Sequence, residues 1–543
     1  MKNRFLTYLF AILAVAVSAG CVHCMAGTPD DGLHTITVLE TTDTHGAYFD
    51  ATYDGGWNKS SFSRVSSYVK GLRSSGLDVV LVDNGDNLQG DMASIYYNYV
   101  AVGEEHVFSR IADFIGYDAI VVGNHDIEPG HPVYDRLNRS SKIPYLAANA
   151  VHSSGADAGK PYFKPYTMVE RGGFRIAIIG MTNANIKSWL KAEVWEGIDF
   201  LRISSVAQKW VDEVREKEHP DIVIVSVHSG TRTFDGSMEP DVENEALFLA
   251  NTLNGVDIVL GGHDHRPFET IVSRSDGTQV SYLNGGTKAS SVARCDVNLL
   301  VEEGRIMKKS FSNSLVPLSA VEPDQEYISH MEKQYASVLG YANGKIGTLE
   351  CDLSFDDALD GPSAYISLIH EVQLEASGAD ISITAPLATS GKISSGVVTR
   401  QRLTEMYRFE NTLFKIEMTG RQIKDYLEYS YDLWINGSGP SYNYDSMAGI
   451  NYRVERNAPR GERIKIVSMS SGEKFDLEKT YSVAINSYRM SGGGGHIDKG
   501  AGLDPASVKI LGSYPEIREL VGAYISKRGT ISPKVLTNWS FVN

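Results

Sequence analysis

Five short segments of this 543-residue chain hold residue types that could do chemistry. They read Thr42-Asp43-Thr44-His45-Gly46, Asp83-Asn84-Gly85-Asp86, Gly123-Asn124-His125-Asp126, Val227-His228-Ser229-Gly230 and Gly261-Gly262-His263-Asp264-His265. Five of the fourteen histidines fall in these segments. Carboxylate, amide and imidazole side chains suit Mn, Zn or Fe(II), whereas thiolate sites need cysteine. One carboxylate shared by two ions would explain an Asp standing alone at Asp86. Two divalent ions about 3.5–4 Å apart make a clamp for phosphoryl transfer.

Each segment follows an apolar run. Thr35–Glu40, Val79–Val82, Ala119–Val122, Arg175–Ile179, Ile222–Val227 and Val256–Leu260 are rich in Val and Ile, and most end in Gly, Asn or Asp. They read as buried strands running into loops. Amphipathic stretches at Ser61–Leu72 and Val206–Glu218 read as helices between them. That alternation predicts an α/β layered fold. In such sheets ligands bind beyond the carboxyl ends of the strands, so all five segments point to one rim. Tyr327–Leu339 reads as a helix joining two domains. The pattern restarts after about residue 345, with helices at Pro362–Ser377 and Gly420–Ser430 and a strand at Val483–Ile485.

The formal net charge of −16 argues against a binder of nucleic-acid polymer, which needs clustered Lys and Arg. Four cysteines exclude a disulfide scaffold, and Cys295 and Cys351 are too few for a zinc-thiolate cluster. The N-terminus runs Met1-Lys2-Asn3-Arg4, then an apolar stretch from Phe5 to Ala19, and predicts an export signal over 1–24. Ser18-Ala19-Gly20-Cys21 resembles a lipoprotein cleavage box, with Cys21 as the lipid anchor and Ser18 where Leu is usual. A buried N-terminal helix is the alternative. No later segment has the ~18 apolar residues of a membrane span. The expected location is the periplasm, or a lipid anchor at the cell envelope.

Together the five segments resemble the calcineurin-like metallophosphoesterase signature, and more closely the exported 5′-nucleotidase and 2′,3′-cyclic-nucleotide phosphodiesterase family. The resemblance implies a four-layer-type metallophosphoesterase domain over 34–312, a linker helix over 313–345 and an α+β 5′-nucleotidase C-terminal domain over 346–543. It implies two divalent metal ions, Mn, Zn or Fe. Asp43, His45 and His265 would hold the first, Asn124, His228 and His263 the second, with Asp86 bridging. Water activated by the metals would attack phosphorus. His125 would stabilise the transition state or protonate the leaving oxygen. Where 5′-nucleotidases often carry an Asp three positions after this His, the chain has Glu128, which would support His125 or leave the dyad absent.

The C-terminal third carries the same resemblance in Gly361-Pro362-Ser363-Ala364, Val372–Ile381, Tyr407-Arg408-Phe409-Glu410-Asn411-Thr412-Leu413 and Met418-Thr419-Gly420. Two segments are candidates for base recognition, Ser441-Tyr442-Asn443-Tyr444-Asp445 and Asn486–His496. A base is flat and apolar on its faces, so two aromatic rings can sandwich it. The family clamp maps to Tyr444 and Tyr488, with Tyr442 as a substitute for Tyr444. Asn411 and Gly493 join the expected substrate-binding set. Thr384-Ala385-Pro386-Leu387-Ala388 lacks the Arg common in 5′-nucleotidases, and Gly494 stands where they often have Asp. Both departures resemble the cyclic phosphodiesterase and 3′-nucleotidase branch. The expected activity is hydrolysis of 2′,3′-cyclic nucleotides and 3′-nucleotides, with no obligate protein partner. The alternatives are a 5′-nucleotidase or UDP-sugar hydrolase, a sulfur-ester hydrolase on the same scaffold, a non-catalytic nucleotide-binding lipoprotein, or an adhesin.

Overall fold

A computed structural model describes residues 29–232, 241–409 and 411–542. The export signal over 1–24 and the anchor at Cys21 lie outside the described residues, as does Glu410.

The N-terminal strands are β1 Gly32–Thr41, β2 Asp78–Asp83, β3 Ala119–Val121, β4 Tyr145–Leu146, β5 Tyr166–Arg171, β6 Phe174–Met181, β7 Ile222–Val227, β8 Ile258–Gly261, β9 Phe268–Ser273, β10 Gln279–Asn284, β11 Ser291–Glu302 and β12 Arg305–Pro317. They form two six-stranded sheets, ordered β12-β11-β1-β2-β3-β4 and β9-β10-β8-β7-β6-β5. Strands β1 to β4 are mutually parallel, as are β6, β7, β8 and β10. Antiparallel strands finish the edges.

Strand β7 shows why the sheets stack. Its sequence Ile-Val-Ile-Val-Ser-Val is buried throughout, as expected of a parallel strand covered on both faces. Ile222 and Ile224 join Val38, Val80 and Val297 in the core between the sheets. Val223 and Val225 face the other way, onto Ala207, Val211 and Val214 of helix α3 (Ile203–Glu218). Helices α1 (Phe62–Ser74) and α2 (Val107–Ile115) cover the first sheet, through Val65 and Ile111 against Leu39 and Leu81. The result is helix, sheet, sheet, helix, the four layers expected.

Helix α4 (Gln325–Ala342) starts at Asp324, whose side chain accepts from Glu326 N. Within the linker helix expected over 313–345, the helix itself spans Gln325–Ala342. Residues up to Pro317 belong to β12, and α4 packs into the N-terminal core through Tyr327, Met331 and Val338. Tyr327 Oη donates to Tyr48 O at 2.7 Å and Tyr335 Oη to Thr52 O at 2.9 Å. The chain leaves the N-terminal domain only at Asn343–Lys345. There Arg400 lies over the Tyr341 ring at 4.6 Å, and its backbone N–H donates to Gly344 O.

The second domain holds a five-stranded sheet of β13 (Ile381–Thr384), β14 (Thr412–Thr419), β15 (Ser446–Ala448), β16 (Thr480–Asn486) and β17 (Ile510–Glu516), in the order β15-β13-β16-β14-β17. Helix α5 (Ala364–Ser377) packs on one face with Ala484 and Leu413. Helix α6 (Gly420–Ile435) packs on the other with Ile381, Val483 and Ile485. A capping box at Thr419 and Gln422 starts α6 where Met418-Thr419-Gly420 leaves β14. Cys295 is buried in β11 and Cys351 is exposed; both are free thiols.

Candidate metal centre

Asp43 and His45 follow β1, Asp86 follows β2, and Asn124 and His125 follow β3. His228 follows β7, and His263 and His265 follow β8. Both sheets therefore deliver side chains to one rim. The ligand atoms of Asp43, His45 and His265 lie within 4.8 Å of one another, as do those of Asp86, His228 and His263. His263 Nδ1 is 2.9 Å from Asn124 Oδ1, which brings the amide to the second group. His228 Nε2 lies 3.0 Å from Asp86 Oδ2 and 3.8 Å from Asp43 Oδ1, so the two groups adjoin.

Two observations fit this set to divalent ions. Asp43 Oδ1 and His228 Nε2 are fully buried and make no well-formed hydrogen bond, although Asp86 Oδ2 lies 3.0 Å from His228 Nε2 and His265 Nε2 lies 3.4 Å from Asp43 Oδ1. Buried polar atoms are normally satisfied, and a cation between them would satisfy both. The donors are also all oxygen and imidazole nitrogen, the chemistry of Mn, Zn and Fe(II). The backbone is strained at the same places. Asp43, His45, Asp86, His263 and His265 are five of the nine described non-glycine residues with positive φ. Such strain clusters at functional sites.

Inner contacts hold the donors in place. His228 Nδ1 donates to Asn84 O at 2.6 Å, which leaves Nε2 facing the carboxylates. Asp43 Oδ2 accepts from Thr42 Oγ1 at 2.5 Å and from His263 N at 2.9 Å. Gly123 cannot be another residue, because a Cβ there would sit 2.1 Å from Asp86 Oδ1. Burial works against a charged His228, but the Asp86 and Asp43 carboxylates outweigh it and lift its pKa to about 10. Burial pushes His45 down to about 4.

His125 and Glu128 are brought together. Their Nδ1 and Oε2 are 2.6 Å apart, and the His125 ring lies 5.4 Å from that of His45. Its backbone N–H donates to Asp86 Oδ1 at 2.8 Å.

Three residues around the centre were given no role in the sequence reading. Asp126 accepts four backbone N–H bonds, from Asp86, Asn87, Leu88 and Gly123. Glu243 Oε1 is 2.9 Å from His263 Nε2, and Trp189 stacks on the same ring at 5.2 Å. Asp126 was visible beside His125. Glu243 lies three residues before the helix Ala246–Thr252, and nothing in the sequence around it marks it.

The C-terminal rings are arranged differently from the expected clamp. Tyr444 is only 7% exposed. It stacks on Trp434 at 5.7 Å and its hydroxyl donates to Gly439 O, so it is a core residue here. The exposed rings are Phe409, Tyr442 and Tyr488. Tyr442 meets Phe409 edge-on at 5.9 Å and Tyr488 edge-on at 6.1 Å. Phe409 lies inside the Tyr407–Leu413 block, and its exposure is what the sequence hid. Buried Arg489 ties the two segments together, donating to Asp445 Oδ2, Asn443 Oδ1, Tyr442 O and Gly493 O. Gly493 is required because a Cβ would lie 2.4 Å from the Tyr488 ring. Asn411 contacts the Tyr407 and Ser487 hydroxyls.

Two family models match the chain. Residues 36–267 match the calcineurin-like phosphoesterase and residues 345–499 the C-terminal domain of 5′-nucleotidase. The chain belongs to the metallophosphoesterases that join these two domains, and it is a hydrolase of phosphoester bonds. It is similar to a 2′,3′-cyclic-nucleotide 2′-phosphodiesterase/3′-nucleotidase of Haemophilus influenzae, 25% identical over 100% of this chain and 92% of that one. A protein of the same name from Yersinia enterocolitica is 25% identical, covering 97% of this chain and 91% of its own. Among solved structures, a 5′-nucleotidase precursor from Thermus thermophilus shares the fold with a TM-score of 0.60 at 21% identity, covering 94% of this chain and 99% of that one. No helix among the described residues is long and apolar enough to cross a membrane.

Proposed function

We propose that this chain is an exported two-metal phosphoesterase that opens 2′,3′-cyclic nucleotides and removes the 3′-phosphate, releasing nucleosides. The observation that carries catalysis is the convergence of seven donor residues around the buried Asp43 Oδ1 and His228 Nε2, neither of which makes a well-formed hydrogen bond. The branch is supported by the full-length likeness to relatives of that name and by the absence of an Arg in Thr384–Ala388.

Asp43, His45 and His265 would hold one ion and Asn124, His228 and His263 the other, with Asp86 between them. Ions bound there supply a nucleophile from water at neutral pH and screen phosphate charge. Glu128 accepts from His125 Nδ1, which fixes the ring and favours its imidazolium form, and Nε2 of that form gives its proton to the leaving oxygen. Phe409, Tyr442 and Tyr488 hold the base, a role that passes from Tyr444 to Phe409. The domain boundary falls at residues 343–345, and substrate spans the cleft beside it.

The test is phosphate release with Mn²⁺ from 2′,3′-cyclic AMP, 3′-AMP, 5′-AMP and UDP-glucose, with His125→Ala as control. Fast turnover of the first two is expected. A preference for 5′-AMP or UDP-glucose would move the chain to the 5′-nucleotidase branch. Tight nucleotide binding without turnover of any would return it to the binding proteins.

A further inference from the structure

A cleft of about 320 Å³ opens beside His45 and runs between the domains. Gly46, Gly90, Asp91 and Met92 form its wall nearest the metal centre. Lys59 and Lys288 line it from the N-terminal domain, and Arg408 and Arg518 from the C-terminal domain. Hydroxyl and amide groups of Thr52, Asn58, Ser60, Gln401 and Thr404 lie among them. Arg518 is paired with Glu516 at 3.6 Å. Lys59, Lys288 and Arg408 are exposed, and none forms an ion pair with a described residue. Asp91, the acid in the lining, is already engaged by the Tyr53 hydroxyl and Ala93 N.

This concentration needs a reason. The chain has 67 acids against 51 Lys and Arg, yet Asp91 is the acid among the residues lining this cleft. Three unmatched cations facing one cleft raise its potential and attract an anion. The Lys288 side is tied to the metal centre, because Lys288 N donates to Asp43 O at 2.8 Å and Ser60 Oγ to Lys288 O at 2.9 Å. The Arg408 side adjoins the base-binding rings, because Arg408 precedes Phe409 in the chain. An anion in this cleft would therefore lie close to both phosphate and base of a bound nucleotide.

We propose that the cleft is a second phosphate subsite, separate from the metal centre, that receives a phosphoryl group other than the one being hydrolysed. The inference rests on the nucleotide-hydrolase reading above and adds nucleotides carrying a second phosphate to its substrate class. The same chemistry would also hold free inorganic phosphate, the product of the reaction.

The test uses adenosine 3′,5′-bisphosphate, 3′-AMP and inorganic phosphate with the metal-loaded enzyme and its Lys59→Gln/Lys288→Gln/Arg408→Gln variant. Steady-state kinetics are read on both proteins, and calorimetric binding on each in a His125→Ala background. The variant should lose at least about tenfold in kcat/KM and affinity for the bisphosphate, since each lost charge-assisted contact is worth about 1.5–3 kcal/mol and 1.4 kcal/mol is tenfold. Its constants for 3′-AMP should change less than about twofold. A phosphate inhibition constant that weakens tenfold while both nucleotides are unaffected would overturn the role in substrate binding and leave a site for free phosphate alone. Equal losses for both nucleotides, or no loss for any ligand, would overturn the proposal and leave the hydrolase reading intact. Charge-dependent binding of the bisphosphate without phosphate release from either nucleotide would do the reverse.

Discussion

Asp126→Asn tests how the loops carrying Asp86 and Asn124 are held. Oδ1 of Asp126 accepts from Asn87 N at 2.9 Å and Leu88 N at 3.1 Å. Oδ2 accepts from Asp86 N at 2.9 Å and Gly123 N at 2.8 Å. All four bonds are buried. Asparagine keeps the shape but replaces one oxygen with an NH₂ group. Whichever way the amide turns, two backbone N–H groups then face a donor. Each stranded donor costs about 1–3 kcal/mol, so the variant should lose about 2–6 kcal/mol. That is a large share of the 5–15 kcal/mol typical of a folded domain. Urea unfolding of both proteins at pH 7 measures it, with the slope of free energy against urea checked for constancy. Metal affinity should fall as well, because Asp86 N and Gly123 N flank two donors of the centre. A loss below about 1 kcal/mol with unchanged metal content would refute the reasoning. It would mean that Asp126 is already protonated in the folded protein, or that the loop is held by its other contacts.

Glu243→Ala removes the carboxylate from His263 Nε2, and partners of this kind are worth about 10–100-fold in metal affinity. Calorimetric titration of the metal-stripped protein measures the loss, and Glu243→Asp should recover part of it. Phe409→Ala should raise KM for 3′-AMP about 5- to 150-fold, the equivalent of about 1–3 kcal/mol for one stacked base, with kcat little changed. Tyr444→Phe should leave KM alone, since that ring packs on Trp434; a KM effect as large as that of Phe409→Ala would restore Tyr444 to the clamp. His106 and His370 are fully buried, and burial pushes both pKa values down to about 3. Below the unfolded value of about 6.5 the unfolded chain takes up protons that the folded chain refuses, so stability falls as the pH falls from 6.5 toward 3. Between pH 7 and pH 5 each should account for about 2 kcal/mol of lost stability. His370→Gln should lose that much less over the same interval in urea unfolding.

The candidate metal-binding rim was legible in the sequence because strand geometry and ligand chemistry restrict each other. A run such as Ile222–Val227 can only be a buried parallel strand, and the residue after it must then lie at the carboxyl edge. His228 needed no further information. The same logic placed Asp43, Asp86, Asn124 and His263, each only a few residues past the end of a strand. Helix ends were legible where a side chain caps them, as at Ser61 and Asp324. The packing of the linker helix was not legible, for a physical reason. Tyr327–Leu339 has the spacing of a helix, but spacing does not say against which body a helix packs. Tyr327 and Tyr335 reach back to Tyr48 and Thr52, which lie far earlier in the chain.

The base clamp was illegible for a related reason. Tyr442 and Tyr444 are two residues apart, at the tight turn Ser441–Asn443, and either could have faced solvent. The choice is made by Trp434 on α6, which stacks on Tyr444 and leaves Tyr442 outside. Phe409 is exposed because Tyr407, two residues before it, is the ring taken into the core. Arg489 then sets the two loops against each other. It lies fully buried beside Asp445, and an unpaired charge there would be costly. Its remaining donors go to the Asn443 side chain and to the backbone of Tyr442 and Gly493, so the ion pair fixes loop geometry as well as charge. The exposed rings are thus a consequence of buried contacts. A sequence motif records which rings are present, whereas the packing of Trp434, Tyr407 and Arg489 decides which of them can meet a nucleotide.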